Sequence, residues 1–275
     1  MTRGTDKAPS VATLALVPGL EAGAPPLRLE RLAGGTVNDS WRVDTARGRF
    51  VLRIDGPAWR RPGVERGREQ RLHDAAAAAG FAPRVLRRAA TRGAQVSEYL
   101  DGRCWSAADM GQPAALARLG SRLAELHALG PVAGVARFDP EGCARQYLQL
   151  VDPANGTHRS ATAVVAGIAD AARRVERGSR GEGIVHGDLV HANLLEGAAL
   201  WLLDWEYAQI ADPLYDVACL LAYYPEARSL APQMLAASGL GGADLQPRLG
   251  AAIQVYEGLT WLWQRARDQP VAGGG

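Results

Sequence analysis

Two short stretches hold the residues whose types and spacing could do chemistry: "HGDLVHANLL" at 186–195 and "LLDWEYA" at 202–208. Asp188 and Asn193 are five apart, and Asp204 follows eleven positions later. Between them "LLEGAALWLL" carries two apolar arms around a turn at "EGAA", the pattern of a β-hairpin, which would return Asp204 to the neighbourhood of Asn193. The expected result is carboxylate, amide and carboxylate at the mouth of a buried core. Hard oxygen donors suit Mg²⁺, which takes few protein carboxylates and completes its shell with phosphate oxygens. A separate carboxylate nearby can orient a hydroxyl and accept its proton. Any one of these residues alone is more often a turn or cap residue; the joint spacing carries the inference.

The spacing D-x4-N, with a second acid after a hairpin, is the arrangement used in kinase-type phosphoryl transfer. Here it resembles the aminoglycoside phosphotransferase and choline kinase superfamily, whose pattern is H-G-D-x4-N followed by I-D-[WFG]. "ADPLYDVACL" (211–220) also looks like that family's segment after the second metal ligand, and the likeness spans about 27–266. The resemblance implies that Asp188 is the catalytic base or hydroxyl-orienting group, that His186 shapes the loop, and that Asn193 and Asp204 bind Mg²⁺. It implies a bilobal, protein-kinase-like α+β fold with ATP between the lobes. His191 is expected to make backbone or solvent contacts, and Asp216 to be a cap or internal brace.

The elements that must position these groups can be read along the chain. Residues 1–26 lack periodicity and contain "PGLEAGAPP", which reads as a loose or weakly helical arm. "LRLERLA", "SWRVD" and "RFVLRI" alternate as three strands joined by tight turns, "APRVLRRA" and "AQVSEYL" supply two more, and a helix is expected from about Val64 to Ala79, stopped by Gly80. Helical periodicity dominates 113–129, 160–177 and 245–266, with short strand-like pieces "GIVHGD", "NLLE" and "LWLLD" between. The expected division is an arm (1–26), a five-stranded antiparallel N-lobe covering the nucleotide (27–100), and a mainly helical C-lobe with the catalytic loop, metal and acceptor sites (101–275).

A phosphate-handling N-lobe needs a covering loop, a cation on a strand and an acid on a helix. Gly34 and Gly35 let the backbone turn tightly toward phosphate oxygens, and the choline kinase-like members have a similar G-G-x-x-N turn, which brings in Asn38. Lys7 is the only lysine in the chain, so a strand lysine is impossible; in "FVLRIDGP" Arg53 occupies that place, as arginine does in the choline kinase-like proteins this chain resembles, and Glu69 on the following helix would be its ion-pair partner. By resemblance alone, backbone groups of Glu98, Tyr99 and Leu100 would meet the adenine.

The transferred group goes to the hydroxyl of a small molecule. Trp-Glu-Tyr after Asp204 looks more like choline, ethanolamine and thiamine kinases than aminoglycoside kinases. Tyr256, Trp261 and Trp263 could attract a quaternary ammonium group by cation–π contact, with Glu206 or Asp212 adding negative charge. Trp261 and Trp263, two apart, cannot share one helical face, so at least one should pack in the core. The alternatives are an aminoglycoside O-phosphotransferase, a metal-dependent hydrolase built on His186, Asp188 and His191, and a nucleotide-binding pseudokinase.

Composition is that of an ordinary soluble enzyme, with 47% hydrophobic and 22% charged residues. A net charge of +2 gives no reason to expect nucleic acid or a membrane surface as partner, and oligomeric state is not encoded. Cys104, Cys143 and Cys219 are too sparse for a disulfide framework or a structural zinc site. "VATLALV" (11–17) is too short to span a bilayer, so a cytoplasmic protein is expected.

Overall fold

The alternation in the N-terminal third resolves into β1 (Arg28–Arg31), β2 (Asn38–Thr45), β3 (Gly48–Asp55), β4 (Val85–Ala89) and β5 (Ala94–Glu98). In the computed structural model, which describes residues 8–32, 38–56, 63–151, 157–179 and 181–267, these form one antiparallel sheet ordered β1-β2-β3-β5-β4. Register places Ser40 opposite Arg53 and Arg42 opposite Val51. Since side chains alternate between faces, Trp41, Val43, Phe50, Leu52 and Val96 bury on one side, while Arg42 and Arg53 stand on the other.

Of the segment expected to be loose or weakly helical, the described residues 8–26 include one short helix and pack on the sheet. A short helix α1 (Val11–Leu14) leads into Val17 and Leu20, which are almost fully buried against the outer sheet face. Thr45 donates to the Pro18 carbonyl at 2.9 Å, and Arg87 and Arg92 donate to the carbonyls of Leu16 and Ala12. An apolar sheet face needs a cover, and this segment supplies it with apolar residues in no regular period, which hides it from periodicity-based reading.

Helix α2 (Arg66–Ala78) starts where the Glu65 carboxylate caps the Gly67 and Arg68 amides, and ends before Gly80, whose φ of 78° suits only glycine well. It turns Glu69, Leu72, His73 and Ala76 inward. The C-terminal lobe contains β6 (Arg103–Cys104), α3 (Pro113–His127), α4 (Pro140–Leu148), α5 (Thr157–Glu176), β7 (Gly183–Val185), β8 (Leu194–Glu196), β9 (Leu200–Leu202), β10 (Gln209–Ala211), α6 (Leu214–Tyr223), α7 (Ala231–Ala237) and α8 (Leu245–Arg267). The α+β bilobal architecture matches the expectation. Among the described residues, no helix is long and apolar enough to cross a membrane.

Helix α6 gave no amphipathic signal because residues 214–221 are all buried. Residues 216, 219, 223 and 224 share one face at helical spacing, and that face lies along the loop 186–191. The fully buried Asp216 accepts the amides of His186 (3.1 Å) and Gly187 (2.9 Å), and its Oδ2 is 2.8 Å from Nε2 of His127 on α3. The Leu189 amide meets Cys219 Sγ, and the His191 amide donates to the Tyr224 hydroxyl. Gly187 has φ 75°, and a Cβ there would lie 2.6 Å from the Tyr207 carbonyl. Asp216 is the internal brace.

Removing the brace should be costly. Asp216→Ala leaves three buried donors unpaired, and the expected loss is about 3 kcal/mol, a fall in Tm of roughly 6–12 °C; an unchanged thermal unfolding curve would refute the brace. A second expectation concerns His73, which is 5% exposed, hydrogen-bonded to the Pro83 carbonyl and stacked on Trp205. Burial holds its imidazole below the ordinary value of 6.5. The unfolded chain therefore binds the proton more readily, so this stability is present above pH 6.5 and is lost as pH falls through the lowered value. In His73→Gln the decline of Tm from pH 7 to 5 should be shallower than in the unchanged protein, and equal slopes would exclude His73 as a source.

Candidate active site

The expected hairpin forms, with Leu194 opposite Leu202 and Glu196 opposite Leu200, closed by the Gly197 amide on the Ala199 carbonyl. The Leu203 amide donates to the Asn193 carbonyl at 2.8 Å, which sets Asp204 one residue beyond Asn193's neighbour. Asn193 Nδ2 donates to the backbone carbonyl and to Oδ2 of Asp188, both at 2.9 Å. Its amide oxygen is thereby left as the group able to face a cation. Tyr223 also hydrogen-bonds the Asp188 carboxylate.

Asp204 is the one non-glycine residue with positive φ (59°) among the described residues, a conformation that costs about 1–2 kcal/mol. Its carboxylate is 34% exposed, yet Oδ1 is closed off from solvent with no hydrogen-bond partner; Nη1 of Arg53 stands 3.9 Å away. Burial pushes the Asp188 carboxyl up to about 7, aided by the charge of Asp204, while Asn193 and Tyr223 pull it down. Burial also raises the Asp204 carboxyl against the pull of Arg53. A strained carboxylate with an unpartnered oxygen, beside an amide oxygen, fits a hard divalent cation, and two protein donors leave room for phosphate and water oxygens. A transition-metal set has no such fit. His186 is fully buried behind the loop, with Nδ1 accepting the Asp188 amide and Nε2 on the Leu203 carbonyl. His191 Nδ1 is 2.6 Å from the Tyr224 hydroxyl. Among the described residues, no group of three or more His, Cys, Asp or Glu side chains is arranged to hold a metal ion.

Across the cleft, Arg53 Nη1 donates to Glu69 Oε1 at 2.5 Å and its Nη2 lies 3.5 Å from Asp55. Glu69 is only 2% exposed and takes a second guanidinium, that of Arg66, on its other oxygen. Burial acts to raise the Glu69 carboxyl, but Arg53 and Arg66 outweigh it and hold it below its ordinary value. The pair is structural and sheltered, not a solvated helix charge. Asn38 has both ends of its amide engaged, accepting from Arg66 (3.1 Å) and donating to Glu206 Oε2 (2.9 Å). Gly34 and Gly35 lie outside the described residues. At the expected base-binding segment, the amides of Glu98 and Tyr99 donate to the carbonyls of Arg84 and Arg49, and the Leu100 amide has no backbone partner among the described residues.

A cavity of about 310 Å³ opens beside Asp188, Asn193 and Asp204, walled by Phe138, Tyr147, Tyr207, Tyr223, Tyr256 and Trp263. Tyr256 and Trp263, two of the aromatic residues named from the sequence, line this cavity. Two expected residues do not. Asp212 is buried in an ion pair with Arg248 and caps the Leu214 amide, the use that a buried carboxylate at a helix start normally finds. Trp261 lies off the cavity with the Arg265 guanidinium 3.3 Å above its ring, because its helix position is about 200° from that of Trp263. Glu206 lines the cavity but is 1% exposed and bound to Asn38, with Arg66 at 3.6 Å; burial raises its carboxyl to about 8.

Sequence reasoning missed Tyr223, Arg66 and the wall residue Tyr207, whose hydroxyl is hydrogen-bonded to Trp263. Tyr223 had a signal of sorts, lying seven residues after Asp216 on one helical face.

No curated protein matches this chain. The sequence model of the phosphotransferase enzyme family matches residues 28–264. A choline/ethanolamine kinase family protein from Mesorhizobium loti is similar in structure with a TM-score of 0.74 and 26% identity, over 96% of this chain and 87% of that one. Choline kinase LicA from Streptococcus pneumoniae is similar at 0.74 and 18% identity, over 90% and 88%. The GDP and kanamycin complex of APH(2")-IIia is similar at 0.66 and 18% identity, over 94% of each chain. With the bilobal fold and a family match across most of its length, the chain belongs to the phosphotransferase enzyme family.

Proposed function

We propose that this chain is an ATP-dependent kinase that moves the γ-phosphoryl group to the hydroxyl of a compact amino alcohol of the choline, ethanolamine or thiamine type. The observation that carries the reading is the joint placement of Asp188, Asn193 and Asp204, facing Arg53, at the edge of one aromatic-walled cavity. Residues 27–100 are assigned as the nucleotide-covering lobe and 101–275 as the lobe holding the loop, metal and acceptor, in a cytoplasmic enzyme.

In this mechanism Asp188, steadied by Asn193 and Tyr223, accepts a hydrogen bond from the acceptor hydroxyl and takes its proton as the oxygen bonds to phosphorus and the ADP oxygen leaves. Asn193 and Asp204 hold Mg²⁺, which when bound neutralises charge on the phosphate oxygens. Arg53, fixed by Glu69, steadies the nucleotide phosphates with a fork that lysine lacks. His186 acts at a distance, fixing the loop from behind. Positioning and charge neutralisation are most of what this transfer requires.

The acceptor class is supported by the cavity. Its volume lies at the small end of ligand sites, which run roughly from 300 to 1,000 Å³, and its lining includes six aromatic residues, side chains able to attract an alkylammonium group. A polycationic aminoglycoside would call for several free carboxylates, whereas Glu206 is engaged with Asn38 and Arg66 and the other two acids serve the reaction.

The direct test is coupled ADP release with Mg·ATP against choline, ethanolamine, thiamine, homoserine, sugars and aminoglycosides. Turnover of a compact amino alcohol is expected; turnover of aminoglycosides alone would overturn the acceptor class, and none on any alcohol would overturn the kinase reading. Asp188→Ala should lose about 10²–10⁴-fold in kcat with cooperative unfolding retained. Asp204→Asn, which tolerates the left-handed backbone and removes a repelled charge, should raise Tm by about 2–4 °C while abolishing turnover. An active Asp204→Asn enzyme would sink that assignment.

A further inference from the structure

The cleft-facing side of the sheet carries a second charged group that the phosphate-handling network does not use. Arg42 sits on β2 opposite Val51, two positions along from the Ser40–Arg53 pair and on the same face as Arg53. Its Nε and Nη2 are clamped by both oxygens of Asp44 at 2.8 and 2.9 Å, and its guanidinium carbon lies 4.5 Å from the centre of the Tyr99 ring. Arg49 approaches the same ring at 5.4 Å and is itself held bidentately by Asp101. Tyr99 follows β5, where the chain leaves the sheet for the other lobe, and its amide donates to the Arg49 carbonyl. Arg42 and Asp44 are only 17% and 19% exposed in their side chains, so the arrangement is fixed rather than a solvated surface pair.

We infer that the Arg42 guanidinium, clamped by Asp44 and laid on Tyr99, is the shelf against which the purine base of the donor nucleotide stacks. The inference rests on the nucleotide reading above and names the group that recognises the base. Three features support it. Asp44 takes Nε and Nη2, and Nη1 lies 3.5 Å from the Tyr99 hydroxyl, which leaves the flat face turned away from Tyr99 as the means of contact. The Asp44 charge cancels that of Arg42, so a phosphate gains little here, whereas a flat π-system gains from stacking on a guanidinium plane. Two residues of antiparallel strand span ~7 Å, the order of distance from a nucleotide's phosphates, at Arg53, to its base. Stacking area favours a purine over a pyrimidine and discriminates weakly between adenine and guanine.

The experiment is calorimetric titration of the full-length protein with Mg·ADP and, as a base-free probe, with Mg·tripolyphosphate. Arg42→Ala should weaken ADP binding about 3- to 30-fold and leave tripolyphosphate affinity within about twofold, the expectation for a contact made to the base alone. Arg42→Lys keeps the charge but loses the plane, and should weaken ADP nearly as much; it decides the matter if Arg42→Ala fails to unfold cooperatively. Unchanged or tighter ADP binding in these variants would overturn the shelf, as would equal losses for both probes, which would put Arg42 on the phosphates. If the unaltered protein binds tripolyphosphate but not ADP, or neither, the nucleotide reading itself fails.

Discussion

Two carboxylates, Asp188 and Asp204, line one cleft, the charge of Asp204 helping to raise the Asp188 carboxyl, and most of the molecule can be understood from what that requires. Burial pushes both carboxyl groups above their ordinary range, aided at Asp188 by the charge of Asp204 and at Asp204 by those of Glu69 and Asp55. The protein offsets this with specific partners: the Asn193 amide and the Tyr223 hydroxyl at Asp188, and the Arg53 guanidinium near Asp204. Arg53 would itself be poorly placed without anchors of its own. Glu69 and Asp55 hold it, and Arg66 ties Glu69, Asp55 and Asn38 together behind it. The planar fork of Arg53 faces three carboxylates, Glu69 and Asp204 from Nη1 and Asp55 from Nη2; a lysine ammonium offers one compact centre. The proposed phosphate cation is thus an arginine in a chain whose sequence holds a single lysine, Lys7.

The backbone is organised to the same end. The loop 186–191 is gripped from below by helix α6, with Asp216 on two successive amides, so Asp188 projects from a fixed base. The β8–β9 hairpin carries Asp204 back alongside Asn193, and the left-handed conformation of Asp204 aims its carboxylate inward at a cost the surrounding bonds sustain. His186 links the two halves of this construction, accepting from Asp188 on one ring nitrogen and contacting the Leu203 carbonyl with the other. The ring expected to shape the loop is buried behind it.

How much of this could be read from the chain depended on whether the determinant was local. The spacing of Asp188, Asn193 and Asp204, the hairpin between them and the strand alternation of residues 28–54 are local properties and emerged from the sequence. Arg53 and Glu69 were found because each belongs to a recognisable element, although their contact spans sixteen residues. What stayed hidden had no local period. Helix α6 is buried throughout residues 214–221, so it shows no polar outer face, and the segment at 8–26 covers the sheet with one short helix, α1, and otherwise irregular chain. Asp212 and Trp261 were misplaced because their partners, Arg248 and Arg265, are set by tertiary packing and by helix rotation. Tyr207 and Tyr223 entered the cavity wall for the same reason, through elements whose orientation only the assembled fold determines.

The central claim is that Asn193 and Asp204, beside the base Asp188, form a cation site completed by the phosphates of a nucleotide. It is tested most directly by measuring ADP affinity with and without Mg²⁺ in the unaltered protein and in Asp204→Asn. The account predicts tight, Mg²⁺-dependent binding in the former and affinity that no longer responds to Mg²⁺ in the latter. Equal ADP affinity in Mg²⁺ and in chelator for the unaltered protein, or an undiminished Mg²⁺ response in Asp204→Asn, would contradict it.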